Sequence, residues 1–331
     1  MVLVGSVVLP HGTMIFDGDS NSSNEACRQR NGALDDGMKT SCSNLYKACI
    51  TAGEEVRRMS PDLVILHTPH GISLSKSVGV FVNPTAKGTA EWNDCWDDIK
   101  LQLPMDKALA NQLLTHLGDS GIDAQGICCF TNYDAPLRWG EVVPLWFIQK
   151  NLRNPAKYLI MSQSLLRGEE AVKQRVLVGR ALSGFIDSLS DTRVVVAISG
   201  DLAHTHPHSC DNPLYQPNPR WNMAVEPDAA SMFGRCAEGW AKSAPTDLLT
   251  SAAEGVTASG ETWDPVIAEQ WLRHANELHP KALSCGIGGF WVLHAMLYSQ
   301  VERGVSFAHK FLAREAPTYY GMMVTLFLKR Q

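Results

Sequence analysis

Three continuous apolar runs in this chain lead into histidines, and runs of that kind have few places to go in a fold. Val2-Leu3-Val4-Gly5-Ser6-Val7-Val8-Leu9 precedes Pro10-His11-Gly12, and Leu63-Val64-Ile65-Leu66 precedes His67-Thr68-Pro69-His70-Gly71. Val194-Val195-Val196-Ala197-Ile198 precedes Ser199-Gly200-Asp201-Leu202-Ala203-His204. Short apolar runs rich in β-branched residues read as strands buried on both faces, which is the habit of parallel sheets covered by helices. Ligand and catalytic groups in such folds gather at the strand ends, so the three histidine-bearing ends imply one shared site.

Helical patterns alternate with these strands. They run from about Ser41 to Arg58, Met105 to Leu117, Glu169 to Leu189, Asp228 to Trp240, Pro265 to Leu278 and Gly289 to Val301, while Tyr158 to Met161 and a buried run from Gly126 to Phe130 read as further strands and Val78 to Val82 as a short apolar segment. Alternation of this kind predicts an α/β fold with a central mixed or mainly parallel sheet flanked by helices on both faces. Asp17 to Asn24 has loop composition, and Val324 to Leu328 reads as an edge strand after a turn. No repeat or long linker divides the chain, so residues 1–331 are expected to form a single catalytic-type domain.

Composition narrows the partners. A net charge of -5 with 19% charged residues lacks the basic excess of a nucleic-acid binder, and 45% hydrophobic residues suffice for a large core. Nine cysteines without a CxxC pair argue against a disulfide framework, and no apolar run approaches a membrane span; a cytoplasmic protein acting on a small molecule is expected, with homo-oligomers an open option. The apolar start at Val2 lacks a positive flank and reads as a first core strand, not a signal segment. Neither a dinucleotide fingerprint nor a GxSxG nucleophile elbow occurs.

Among the candidate groups, His11 is stiffened by Pro10 and freed for close approach by Gly12, which suits a metal ligand or, more plainly, a loop histidine capping its turn. His70 has the same setting and is preferred to His67, for which a half-buried histidine with a hydrogen-bond partner is the expected state. Asp201 and His204 are three positions apart; a carboxylate beside an imidazole raises its basicity and orients it as a general base, unless Asp201 only caps a turn. His206 and His208 lie in a Pro-containing loop and read as solvated.

The segments Pro10-His11-Gly12, Thr68-Pro69-His70-Gly71, Glu141-Val142-Val143-Pro144-Leu145 and Ser199-Gly200-Asp201-Leu202-Ala203-His204 stand in the order seen in LigB-type class III extradiol ring-cleavage dioxygenases. The chain resembles that superfamily, including its Memo-like branch, over nearly its whole length. The resemblance implies Fe(II) held by His11, His70 and a third ligand, His204 as the acid/base histidine, and a catechol-like aromatic substrate cleaved with O2.

Two positions depart from the ring-cleaving pattern. Arg138-Trp139-Gly140 stands where those enzymes carry Asp-His-Gly, so an indole replaces an imidazole; Trp139 reads as an aromatic wall for a flat substrate or as core. Ser284-Cys285-Gly286 has no carboxylate where a Glu is usual and resembles the Cys-Gly of Memo-like proteins. Cys285 is therefore the candidate third ligand or a small buried hydrophobe, with Glu269 as the fallback ahead of Glu254 and Glu261. A thiolate would widen the choice of metal to zinc or copper. The alternative reading is a Memo-like metal-binding, redox-linked interaction protein that does not cleave rings.

Overall fold

The three histidine-terminated runs form adjacent strands, and their alternation explains why, Ser6 apart, their residues are apolar. In the strand Val194–Ser199, Val194, Val196 and Ile198 face one hydrophobic core while Val195 and Ala197 face a second. Leu63 and Ile65 alternate with Val64 and Leu66 in the same way.

A computed structural model describes residues 3–130, 133–208, 212–249 and 262–330. It begins β1 (Leu3–Leu9), α1 (Glu25–Gly32), α2 (Asp36–Met59), β2 (Leu63–Thr68), β3 (Val78–Phe81), β4 (Thr85–Thr89) and β5 (Lys100–Pro104). There follow α3 (Lys107–Asp119), β6 (Ala124–Ile127), β7 (Ala135–Leu137), α4 (Trp139–Asn151), β8 (Lys157–Ser162), α5 (Gly168–Ser188) and β9 (Val194–Ser199). The chain closes with α6 (Pro227–Lys242), α7 (Pro265–Ala282), α8 (Ile287–Glu302), β10 (Phe307–Glu315) and β11 (Met322–Lys329).

The main sheet has the order β10-β11-β1-β9-β2-β8-β3-β6, with β1, β9, β2 and β8 mutually parallel. One face is covered by α3 and α5 to α8, the other by α2, α4 and a small sheet β5-β4-β7. Because β9 lies between β1 and β2, their C-terminal ends open side by side, and Leu9 pairs with Ser199 while His67 pairs with Ile198. That register delivers His11, Asp201 and His70 to one place.

The fold is the α/β architecture expected, with local differences. The run expected as a buried strand from Gly126 to Phe130 is instead β6, the outermost strand, with Gln125 and Gly126 exposed. Conversely, the C-terminal strand is interior: β11 lies between β1 and β10 and is buried along most of its length. The second sheet escaped the sequence because its strands are short and half polar, and α2 starts at Asp36 because Asp35 caps it through Met38 N at 2.8 Å. Among the described residues, no helix is long and apolar enough to cross a membrane.

Candidate metal centre and aromatic cavity

The turn after β9 presses against the start of α8. A Cβ on Gly200 would lie 2.6 Å from Gly286 Cα, so only glycine allows the two backbones to meet. The contact is locked by Gly286 N donating to Asp201 O at 3.0 Å and Ser284 Oγ donating to the same carbonyl at 3.0 Å. Cys285, between them, is thereby carried to the strand ends, with Sγ 3.3 Å from His11 Nε2.

His11 is oriented from both sides. Its backbone N donates to Asp201 Oδ1 at 2.9 Å, and its Nδ1 lies 2.8 Å from Ser199 Oγ. Ser199 Oγ donates its own hydrogen to Gly140 O, so it can only accept from His11 Nδ1–H. This assignment leaves His11 Nε2 with a free lone pair, 3.0 Å from His70 Nε2 and 3.3 Å from Asp201 Oδ2.

His70 is held by a buried carboxylate whose role the sequence did not reveal. Glu141 Oε1 accepts from Thr68 Oγ1 at 2.7 Å and from Gly71 N at 3.0 Å, while Thr68 Oγ1 accepts from His70 N at 3.2 Å. Glu141 Oε2 also accepts from Arg138 N at 3.1 Å, which fixes the start of α4. Glu141 sits at the head of the Val-Val-Pro-Leu segment, and that position was the only signal it gave.

His204 is set by main chain instead of by Asp201. Its Nδ1–H donates to Leu283 O at 2.7 Å, leaving Nε2 bare, and its backbone N donates to Ala282 O at 2.8 Å. The expected Asp201–His204 hydrogen bond is absent, although donor atoms of Asp201, His204 and Cys285 all lie within 4.8 Å of one another. The Asp201 carboxylate instead straddles His11.

Burial dominates the electrostatics. It lowers His11 to about 3, aided by repulsion from His204, and takes His70 well below the ordinary imidazole range. His204 is also lowered by burial, against the opposing pull of Asp201 and the Leu283 carbonyl, so the carboxylate does not give the raised basicity expected from sequence. Asp201 is raised to about 6 and Cys285 well above the usual thiol range, both chiefly by desolvation. Neutral imidazoles are the form that binds metals, and a dication would reverse the penalty on the thiolate.

The donor set fits a single cation. His11, His70 and Cys285 offer donor atoms that lie within 4.8 Å of one another. Two nitrogens each ~2.1 Å from one ion, at a right angle, would stand about 3 Å apart, which is the spacing found here. A thiolate with two imidazoles suits zinc, copper or iron.

Above these donors lies a cavity of about 300 Å³. Trp139 stands 5.3 Å from the His70 ring, Trp92 4.7 Å from Trp139, and Trp221 5.5 Å from Trp92, centroid to centroid. Tyr319 and Tyr320 line the opposite side, Tyr320 stacking on His204 at 6.0 Å. Trp139 is thus part of a wall that Trp92 and Trp221 extend, two indoles that lie outside any periodic segment of the sequence.

Other sequence candidates fall elsewhere. Glu269, the fallback ligand, lies on α7 bonded to Arg273 at 2.9 Å and 3.7 Å from His294, lining a different cavity from His11 and His70. His67 is fully buried, lowered to about 3, and its Nδ1 lacks the expected hydrogen-bond partner. His206 and His208 are half-buried, not solvated, and burial lowers His206 to about 4. Cys210, Glu254 and Glu261 lie outside the described residues.

Fold and donor set together define an α/β protein with a candidate metal centre at the C-terminal ends of parallel strands. Residues 6–251, about three quarters of the chain, match the catalytic LigB subunit of aromatic ring-opening dioxygenase, and the chain belongs to that family. His11, His70, Trp139, Asp201 and His204 fall inside the match; Cys285 lies beyond it. No curated protein matches the chain.

Proposed function

We propose that this chain is a metal-dependent oxidoreductase that opens a catechol-type aromatic ring with O2. The observation that carries the reading is the pair of Nε2 atoms of His11 and His70, 3.0 Å apart at the foot of a cavity walled by indoles. His11, His70 and Cys285 would hold Fe(II), which when bound supplies open positions for a chelating diol and dioxygen. His204, with Nε2 bare and facing the cavity, takes a proton from the substrate hydroxyl; Asp201 positions His11 and supplies negative charge beside it. Trp139 stacks on the substrate ring. The whole chain acts as one domain, because the N-terminal strand brings His11 to the cavity and the C-terminal third brings Tyr320 to its lining and Cys285 to His11.

A second reading has its own support. Cys285 Sγ at 3.3 Å from His11 Nε2, with Trp139 where a second acid/base imidazole is usual, favours a Memo-like protein binding zinc or copper without ring cleavage. Anaerobic reconstitution with Fe(II) followed by a catechol panel, monitored for yellow ring-opened products, separates the two. Turnover of a catechol supports the dioxygenase; no product with any catechol, while zinc or copper binds through Cys285, overturns it.

A further inference from the structure

A second cavity, of about 490 Å³, is lined by Cys285 but shares no lining residue with the aromatic cavity. Residues 283–285 form part of its boundary, and the same segment holds His204 through Leu283 O and reaches His11 through Cys285 Sγ. The ends of α5, α7 and α8 supply most of the rest. One wall carries a cation that nothing in the fold neutralises. Arg175 of α5 is half-buried, and among the described residues its guanidinium has neither a hydrogen bond nor an ion pair. None of its nitrogens is sealed from solvent, so all are open to what enters the cavity. Packing keeps the guanidinium in place: a Cβ on Gly288 would lie 2.8 Å from Arg175 Nε and closer still to Gln163 Oε1, so the glycine lets both side chains lie against the first turn of α8.

The electrostatics around Arg175 call for an anion. Burial lowers it to about 10 with no carboxylate opposing, and lowers His279 to about 4 with added repulsion from Arg175, Arg167 and His204. The first turn of α8 has no side-chain cap, and the helix dipole sets a further positive end beside the guanidinium. Two carboxylates do line the cavity, but Glu277 is engaged by His274 at 3.1 Å, and the exposed Glu169 is matched by the exposed Arg167. What is left over is the single charge of Arg175, and a charge drawn from water without a partner is costly. Beside it the lining is apolar and open: Leu165 is 59% and Leu283 40% exposed. One unmet positive charge next to exposed leucines suits a monoanion with an apolar body.

We propose that this cavity is a second ligand site, for a small organic monocarboxylate whose head pairs with Arg175 and whose apolar body lies on Leu165 and Leu283. The planar guanidinium matches a carboxylate with two parallel N–H···O bonds. The site does not rest on the reaction proposed at the metal centre. Hexanoate is the probe, titrated calorimetrically into the full chain beside hexanamide, which keeps the body without the charge, and acetate, which keeps the charge without the body. Hexanoate is expected to bind at least about tenfold more tightly than either, the scale of one charge-assisted hydrogen bond or of two buried methylenes. Arg175→Gln should abolish the preference for hexanoate over hexanamide, while His70→Ala, which removes a donor from the metal centre, should leave hexanoate binding unchanged. Should Arg175→Gln not fold, Leu165→Asp carries the test, because a negative charge at that exposed position should weaken hexanoate at least about tenfold and hexanamide less. No binding of hexanoate at millimolar concentration, equal binding of hexanamide, or undiminished affinity in Arg175→Gln or Leu165→Asp would overturn the proposal. Loss of hexanoate binding in His70→Ala would do so too, by placing the carboxylate at the metal centre.

Discussion

The Nε2 atoms of His11 and His70 stand 3.0 Å apart although their strands, β1 and β2, are separated by β9. The middle strand makes this possible, because Ser199 at its end directs the His11 ring and the turn beyond it supplies Asp201. If both nitrogens are ligands, His11→Ala and His70→Ala should each weaken metal binding by at least about a hundredfold, since loss of an outer partner alone costs ten- to a hundredfold. Competition with a chromophoric chelator measures this. Undiminished affinity in either variant removes that histidine from the centre.

Cys285 gives a spectroscopic test that needs no substrate. A thiolate bound to Cu(II) or Co(II) produces a sulfur-to-metal charge-transfer band, and the 3.3 Å separation of Sγ from His11 Nε2 predicts one in the wild-type protein. Cys285→Ser should abolish the band while retaining residual binding through the two imidazoles. A wild-type complex without the band would show that the thiol is not a ligand.

For His204 the prediction concerns pH. Burial holds its imidazole below the ordinary value, outweighing Asp201 and Leu283, so the basic form persists into mildly acidic solution. The acidic limb of kcat/KM should therefore lie below about 6.5, the free imidazole value. His204→Gln should cost about 10²–10⁴ in turnover with metal content unchanged. An acidic limb above 7, or undiminished turnover in the variant, would assign the base elsewhere.

How much of this was legible in the sequence depends on range. The central strands and long helices could be read because a strand buried on both faces must be largely apolar, and a helix carries its own period. The strand-end placement of His11, His70 and Asp201 followed from those same runs. What could not be read is whatever requires knowing strand order. The Ser199–His11 contact arises because β9 inserts between β1 and β2, and the brace of Glu141 on the His70 turn joins residues about seventy positions apart. Glu269 was attractive as a carboxylate upstream of Cys285, but α7 turns it toward Arg273 and His294 on the outer face.

Trp221 should govern the size of substrate accepted. It lies on a short turn, Pro219–Trp221, 46% exposed and 5.5 Å from Trp92, while the preceding turn, Pro213–Tyr215, is pinned where Tyr215 OH donates to Arg30 O at 3.1 Å. Removing the indole by Trp221→Ala opens the outer end of the wall without touching His11 or His70. The ratio of kcat/KM for a bulky catechol over catechol itself should rise by about tenfold, the scale of one or two methylene-sized contacts. A ratio that stays constant, or a drop in metal content, would mean that Trp221 does not bound the substrate.

Asp17 links the cavity's supporting loops to pH. Its carboxylate is fully buried, accepting from Arg30 Nε at 3.1 Å and Trp96 Nε1 at 3.2 Å, yet burial outweighs these partners and raises it to about 6. The unfolded chain releases this proton near 3.9, so between that pH and about 6 the folded state binds more protons than the unfolded one. Stability contributed by Asp17 is therefore full below the unfolded value and lost as pH rises through about 6. Asp17→Asn cannot titrate, so the excess in melting temperature of wild type over variant should shrink between pH 4 and pH 7, all other groups cancelling in the comparison. An excess that grows with pH would show that the ion pair with Arg30 outweighs the cost of burying the charge.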